Sequence, residues 1–151
     1  MVWVGYAVRV LLILIMAVFT YWTANYNNRL PTPLDGAWEV TSGSVQNDAS
    51  GNPLTAVFFE RNRAYMCVFK RKDSSYEQHH FEVDPGQRTV TIWKEWLRKG
   101  DKIFDGSYQL SGPELRLNGK SANSSAETVL VLRKRTDVPA TAFTGFGGLN
   151  H

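Results

Sequence analysis

The adjacent pair His79-His80 has the plainest chemical potential in the chain. Imidazoles ligate metals and carry protons, but one metal held by both rings needs both on the same side. Along an extended strand neighbouring side chains point to opposite faces, so this pair cannot chelate a single ion. No cysteine or other histidine stands at ligand spacing from it, and neither a metal nor a cofactor is expected. His79 is assigned to a core edge, with contact to a bound ligand as its functional alternative, and His80 to the surface. Trp93-Lys94-Glu95-Trp96 combines two aromatics with two opposite charges, the makings of a surface platform on which a sugar or base would stack; the structural alternative is that Trp93 and Trp96 cap the end of a strand. Glu60, Glu82 and Glu95 supply carboxylates for acid–base chemistry, which asks for a pair at a defined separation, and their spacing defines none. Cys67 is the only cysteine and lies in the apolar run Ala64 to Phe69, where a thiol behaves as a small hydrophobe. With no phosphate loop, nucleophile elbow or dinucleotide fingerprint, no catalytic residue is assigned and the chain is not expected to be an enzyme.

The chain has 151 residues, 43% of them hydrophobic, enough for one core and too few for two once a membrane segment is set aside. Its 17 Lys and Arg face 14 Asp and Glu, a mixed balance without the basic face that a nucleic-acid partner requires. The clusters Lys70-Arg71-Lys72 and Arg133-Lys134-Arg135 read as solvated turns or strand ends, with anionic lipid headgroups as the minor alternative. A glycosylation sequon, Asn123-Ser124-Ser125, has meaning only in a eukaryotic secretory setting.

The elements that must position these residues begin with a membrane helix over Trp3 to Ala24. Val10 to Phe19 is continuously apolar, and with its flanks the run reaches the roughly 20 residues a bilayer core demands. Trp3 and Tyr6 at one end, and Tyr21 and Trp22 at the other, sit where interfacial aromatics belong. Arg9 either snorkels to the headgroups or meets a partner helix. A cleaved signal peptide is the competing reading, against which bulky Tyr21 and Trp22 crowd the cleavage region. Arg9 and Arg29 balance one another, so the side of the β domain is left open. Membrane lipid and partner helices are the expected partners, and the oligomeric state is undetermined.

Residues 25–35, polar and proline-containing, read as a linker, 36–135 as a β domain and 136–151 as an irregular tail. Short β-branched and aromatic runs predict strands at Ala37–Thr41, Leu54–Glu60, Tyr65–Lys70, Tyr76–Val83, Arg88–Lys94, Phe104–Leu110, Glu114–Leu117 and Thr128–Arg133. Asp84-Pro85-Gly86-Gln87 and Ser111-Gly112-Pro113 are tight turns that join antiparallel neighbours. Period-two alternation puts Trp38 with Val40 on one face, His79 with Phe81 and Val83, Val90 with Ile92, Tyr108 with Leu110, Leu115 with Leu117, and Leu130 with Leu132. The fold class is therefore mainly β: an antiparallel up-and-down barrel of about eight strands behind one N-terminal transmembrane helix. Such an interior is filled by side chains or holds one small ligand; this one is expected to be mostly filled, with Trp38, Met66, His79, Phe81 and Tyr108 as candidate interior contacts.

Gly36-Ala37-Trp38 has the Gly-x-Trp placement of the first strand of lipocalin-like barrels. Tyr21-Trp22 with Asn25-Tyr26-Asn27, the entry Pro33 to Val40, the hairpin from Val83-Asp84 to Ile92, Tyr108-Gln109-Leu110 with Leu115 to Gly119, and the tail Thr144 to Asn150 together resemble the C-terminal part of bacterial DoxX-like membrane proteins. Thr144, Gly147 and Gly148 stand where that tail has arginine, histidine and tryptophan, so any role of those side chains does not carry over. The resemblance implies an accessory domain of a membrane redox or quinone-linked system, and a helix that elsewhere belongs to a bundle. The residues themselves point to a membrane-anchored, non-enzymatic β-barrel module that binds a small apolar ligand or a membrane-protein partner. A cell-envelope carbohydrate-binding module using Trp93 and Trp96 is the weaker alternative.

Overall fold

The computed structural model describes residues 2–25, 30–43, 51–60, 63–121 and 124–137. One helix, α1 (Val2–Asn25), precedes eight strands: β1 (Gly36–Gly43), β2 (Leu54–Phe59), β3 (Met66–Arg71), β4 (Tyr76–Asp84), β5 (Thr89–Glu95), β6 (Lys99–Ser111), β7 (Glu114–Ser121) and β8 (Ser124–Lys134). Each strand pairs antiparallel with the next, and β8 returns to β1, with Trp38 opposite Lys134 and Val40 opposite Leu132, closing the barrel. Closure leaves no sheet edge unpaired.

The eight expected strands are all present, in order. β6 extends furthest beyond its expected span because Lys99 to Ile103 carries no apolar alternation. These residues form the outer half of a hairpin, with Trp93 opposite Lys102 and Glu95 opposite Lys99. The β4–β5 turn is set by Asp84, whose Oδ1 accepts from the backbone N–H of Gly86 at 2.8 Å and of Gln87 at 3.0 Å. Gly106 and Gly119 are opposite one another in β6 and β7, and a Cβ on Gly119 would come within 2.4 Å of the Asp105 carbonyl oxygen. The backbones approach closely there because neither residue has a side chain.

Inside the barrel Leu34, Trp38, Val57, Phe59, Cys67, Phe81, Val90, Ile92, Phe104, Tyr108, Leu115, Leu117, Leu130 and Leu132 form one buried cluster with Leu54. Phe59 and Phe81 meet edge to face at 4.9 Å, a geometry favoured by the ring quadrupoles. Leu34 belongs to this core, so the segment expected to be linker ends inside the barrel. Its carbonyl accepts the Trp38 Nε1–H at 2.7 Å, and Lys134 Nζ stands 5.4 Å from the centre of that ring. Asp35 braces the entry, accepting from the Thr32 backbone N–H at 3.0 Å and the Thr32 hydroxyl at 2.7 Å. Asn25, also expected in the linker, is the last helical residue.

A second, smaller cluster of Ala37, Ala56, Phe58, Met66 and Val68 alternates with the interior residues and so faces outward, with Trp96 packed on it. Met66 is therefore not an interior residue. Cys67, one position on, is the β3 side chain that enters the core, because a shift of one residue exchanges the two faces of a strand. Leu110, expected inward beside Tyr108, is 46% exposed: it lies at the barrel rim next to the β6–β7 turn. His80, expected at the surface, is buried on the outer wall.

Candidate functional site

Two polar constellations stand out. In an up-and-down barrel the β1–β2, β3–β4, β5–β6 and β7–β8 connections share one end, opposite the end where Leu34 enters. Arg71 at the end of β3, Glu77 and His79 in β4, and the end of β5 belong to that opposite end. Alternation from Cys67 through Phe69 turns Arg71 inward, and it is buried. Its Nη2 donates to Glu77 Oε2 at 2.8 Å and its Nη1 to the Asn52 carbonyl at 3.4 Å.

His79 Nδ1 is 2.9 Å from the Lys94 carbonyl oxygen. A carbonyl only accepts, so Nδ1 carries the proton and Nε2 of the neutral ring presents a lone pair. That Nε2 is buried, 3.5 Å from Glu77 Oε2, and has no hydrogen-bond partner among the described residues. Two acceptors thus face each other, with no donor to the ring nitrogen among the described residues. Burial holds the His79 pKa below its ordinary value, against the upward pull of the Lys94 carbonyl and the Glu77 carboxylate, with Arg71 adding to the depression. The Phe69 ring meets the imidazole edge on at 4.5 Å. Ser121 Oγ, at the same end of β7, is likewise buried without a hydrogen-bond partner among the described residues.

The second constellation is on the outer wall. His80 Nδ1 is 2.9 Å from the Trp96 carbonyl oxygen, its Nε2 is 3.1 Å from Glu82 Oε1, and Lys99 Nζ donates to the same carboxylate oxygen at 2.6 Å. Burial works to raise the Glu82 pKa, but the hydrogen bonds from Lys99 and His80 prevail and lower it. Tyr65 stacks on the His80 ring at 5.3 Å from a backbone with φ of 60°, and Trp93 meets His80 edge on at 5.3 Å. Left-handed backbone at an aromatic residue is strained. Here it is held by the ring stack and by the Tyr65 carbonyl, which accepts the Phe81 N–H at 2.8 Å.

Of the expected interior residues, Trp38, His79, Phe81 and Tyr108 do line the barrel and Met66 does not. Trp93 and Trp96 are both half-buried: Lys99 stands 4.7 Å over Trp93, Arg63 stands 6.0 Å over Trp96, and the Trp96 Nε1–H donates to the Ala64 carbonyl at 3.0 Å. Each ring already has a cation at its face, so a sugar stacking there would have to displace one. Glu60 follows the end of β2, Glu82 lies in β4, and Glu95 pairs with Lys99 across the β5–β6 hairpin. Among the described residues no group of three His, Cys, Asp or Glu is placed to hold a metal. Arg9 is exposed on α1. The sequence reading missed Arg71 and Glu77: the apolar run before Arg71 fixes no inward phase, and the flanking lysines make a solvated charge run the simpler reading. Asn123 and residues 138–151, including the tail that carries the family resemblance, lie outside the described residues. Compared with known proteins, the chain matches no family model, no curated protein and no solved structure.

Proposed function

We propose that the chain is a membrane-anchored, non-enzymatic β-barrel module that works by binding a membrane-protein partner. The observation that carries this reading is the helix. Gly5–Ala24 is long and apolar enough to span a bilayer, and none of it is buried by the rest of the chain. Arg9 lies exposed within it, and an ionisable group at such a position is stabilised by a carboxylate or carbonyl on a neighbouring helix or by snorkelling to headgroups. The barrel is occupied by its own Trp38, Phe59, Phe81, Phe104 and Tyr108, which favours a partner over a deeply bound apolar ligand. The DoxX-like resemblance suggests one class of partner, the helices of a membrane redox or quinone-linked system.

The test is to purify the full chain from its own membranes in mild detergent, beside Arg9→Leu. A membrane subunit retained in fixed ratio by the unsubstituted chain and lost from the variant is the expected result. A chain that runs alone in both cases, or whose measured mass lacks the first two dozen residues, overturns the reading.

A second reading, a small ligand at the end of the barrel opposite chain entry, is favoured by one observation: the buried Nε2 of His79, 3.5 Å from Glu77 Oε2 and without a hydrogen-bond partner among the described residues. The complementary ligand brings an O–H or N–H, and not an anion, because Arg71 is already neutralised by Glu77. Phenol should move the His79 ring nitrogen resonances while anisole, which lacks the donor, leaves them in place; equal responses remove this reading.

A further inference from the structure

Among the described residues of the barrel, the most exposed large apolar side chain is Leu97, at 80%. It projects from the tip of the β5–β6 hairpin, where its neighbours are fixed. The Trp96 carbonyl oxygen lies 2.9 Å from His80 Nδ1, and the Trp96 Nε1–H donates to the Ala64 carbonyl at 3.0 Å. Lys99 and Gly100, at φ of 63° and 68°, then turn the chain back into β6. The leucine is thus presented to solvent by a braced loop. Beside it are Tyr65, 47% exposed, and the half-buried Trp93 and Trp96. Arg63 stands over Trp96 and Lys99 over Trp93. Residues 94–102 carry Lys94, Arg98, Lys99 and Lys102 against Glu95 and Asp101, all six exposed. Lys99 and Lys102 are engaged by Glu82 and Asp105, whereas Lys94 and Arg98 make no ion pair among the described residues.

A leucine exposed by itself needs no explanation; one braced among tryptophan, tyrosine and basic side chains does. Tryptophan and tyrosine favour the headgroup level of a bilayer, where their apolar and polar parts are both satisfied. Basic side chains beside them are drawn to anionic headgroups, and an aliphatic chain between them reaches the acyl boundary. The cations that a stacking sugar would have to displace from Trp93 and Trp96 are the groups with which such a headgroup pairs. A protein partner asks for a broader apolar core than one leucine provides. The chain also keeps the barrel close to such a surface. Nine peptide units join Asn25 of α1 to Leu34 in the core and span at most about 31 Å, so that even a weak contact acts at high effective concentration. We propose that the β5–β6 hairpin tip, with Arg63 and Tyr65 beside it, docks on the anionic lipid headgroups of the bilayer that holds α1, with Leu97 entering the acyl boundary. The inference rests on α1 being an anchor and not on which protein partner the helix has.

Depth-dependent fluorescence quenching in the full chain tests it. Leu97→Cys, or Glu127→Cys on the exposed outer side of β8, is labelled with a nitrobenzoxadiazole dye and placed in nanodiscs of phosphatidylcholine, with or without phosphatidylserine. Cys67 is fully buried and stays in place, with the unsubstituted chain as the blank. In discs containing phosphatidylserine, doxyl-labelled lipid should quench the dye at residue 97 several-fold more than in phosphatidylcholine alone, and its emission should shift to the blue, while the dye at residue 127 reports water in both. Adding Arg63→Gln and Arg98→Gln, both at exposed positions, should return residue 97 to its phosphatidylcholine value. No quenching at residue 97, equal quenching at both positions, or equal quenching in the two lipids would overturn the proposal. So would a blue shift at residue 97 in lipid-free detergent that grows with protein concentration, which would mark a second copy as the occupant. An alkaline carbonate wash of vesicles separates the two readings. A chain released by the wash removes the anchor and this inference with it, whereas a chain that stays with residue 97 in water removes the inference alone.

Discussion

At the scale of single residues, His79 and Glu60 make opposite demands on pH. His79 is native in its neutral form, with a pKa depressed from 6.5. Its contribution is complete above that value and is lost as pH falls through the lower, folded pKa, since the unfolded chain takes up the proton first. The melting temperature should therefore fall between about pH 7 and pH 5, above the range where ordinary carboxylates titrate. His79→Phe, which keeps a ring against Phe69, should flatten that part of the profile. A profile unchanged by the substitution would show that the imidazole is not desolvated. Glu60 has its pKa raised from 4.5 by burial, so its contribution is complete below that value and lost as pH rises through the folded pKa. Glu60→Gln should stabilise the protein at pH 7 and lose the advantage below about pH 4.5, read as convergence of the two urea-denaturation midpoints.

At the scale of elements, the wall of the barrel depends on two glycines and one hairpin. A methyl at Gly119 meets the Asp105 carbonyl, the Gly106 Cα and the Phe104 ring, all within 2.8 Å. Backbone cannot move aside as a side-chain tip does, so Gly119→Ala should destabilise by roughly 1–3 kcal/mol, seen as a lowered urea midpoint. The β5–β6 hairpin lays Trp96 over the outer cluster. Trp96→Ala should lose about 2 kcal/mol, less than a fully buried tryptophan because the ring is half-buried. Strand order and the pairing of each strand with its neighbour were legible because short β-forming runs, most of them alternating, are separated by turn residues. The phase of β3 was not. Ala64 to Phe69 is apolar at every position, so its period gives no reason to choose Met66 or Cys67 as the inward residue. Burial on both faces, Cys67 inside and Met66 beneath Trp96, is what removed the alternation. The Arg71–Glu77–His79 contact was illegible for a different reason. Its members come from adjacent strands, and only the register of β3 on β4, with Phe69 opposite Glu77, brings them together.

For the whole molecule, two kinds of burial are kept separate. The barrel satisfies its backbone by closure, seals its entry with Leu34 and Trp38, and fills its interior with its own side chains. Gly5–Ala24 of the helix is long and apolar enough to span a bilayer, and none of it is buried against the rest of the described chain. A fold whose stability came from the helix would lose its barrel with it, whereas a tether can be removed without that loss. A chain of residues 30–151, keeping Leu34 and the Asp35–Thr32 brace, should therefore run as a monomer without detergent. It should retain the far-UV spectrum of the barrel and melt within a few degrees of the full chain in detergent. Cutting four residues further, to begin at Leu34, removes Thr32 and with it two hydrogen bonds to Asp35. With net hydrogen-bond contributions of about 1 kcal/mol each, and a melting shift of roughly 4–8 °C per kcal/mol for a domain of this size, that chain should melt visibly earlier than the 30–151 chain. Equal melting temperatures for the two would show that the entry is closed by Leu34 and Trp38 alone. Aggregation of both would show that the helix is part of the fold.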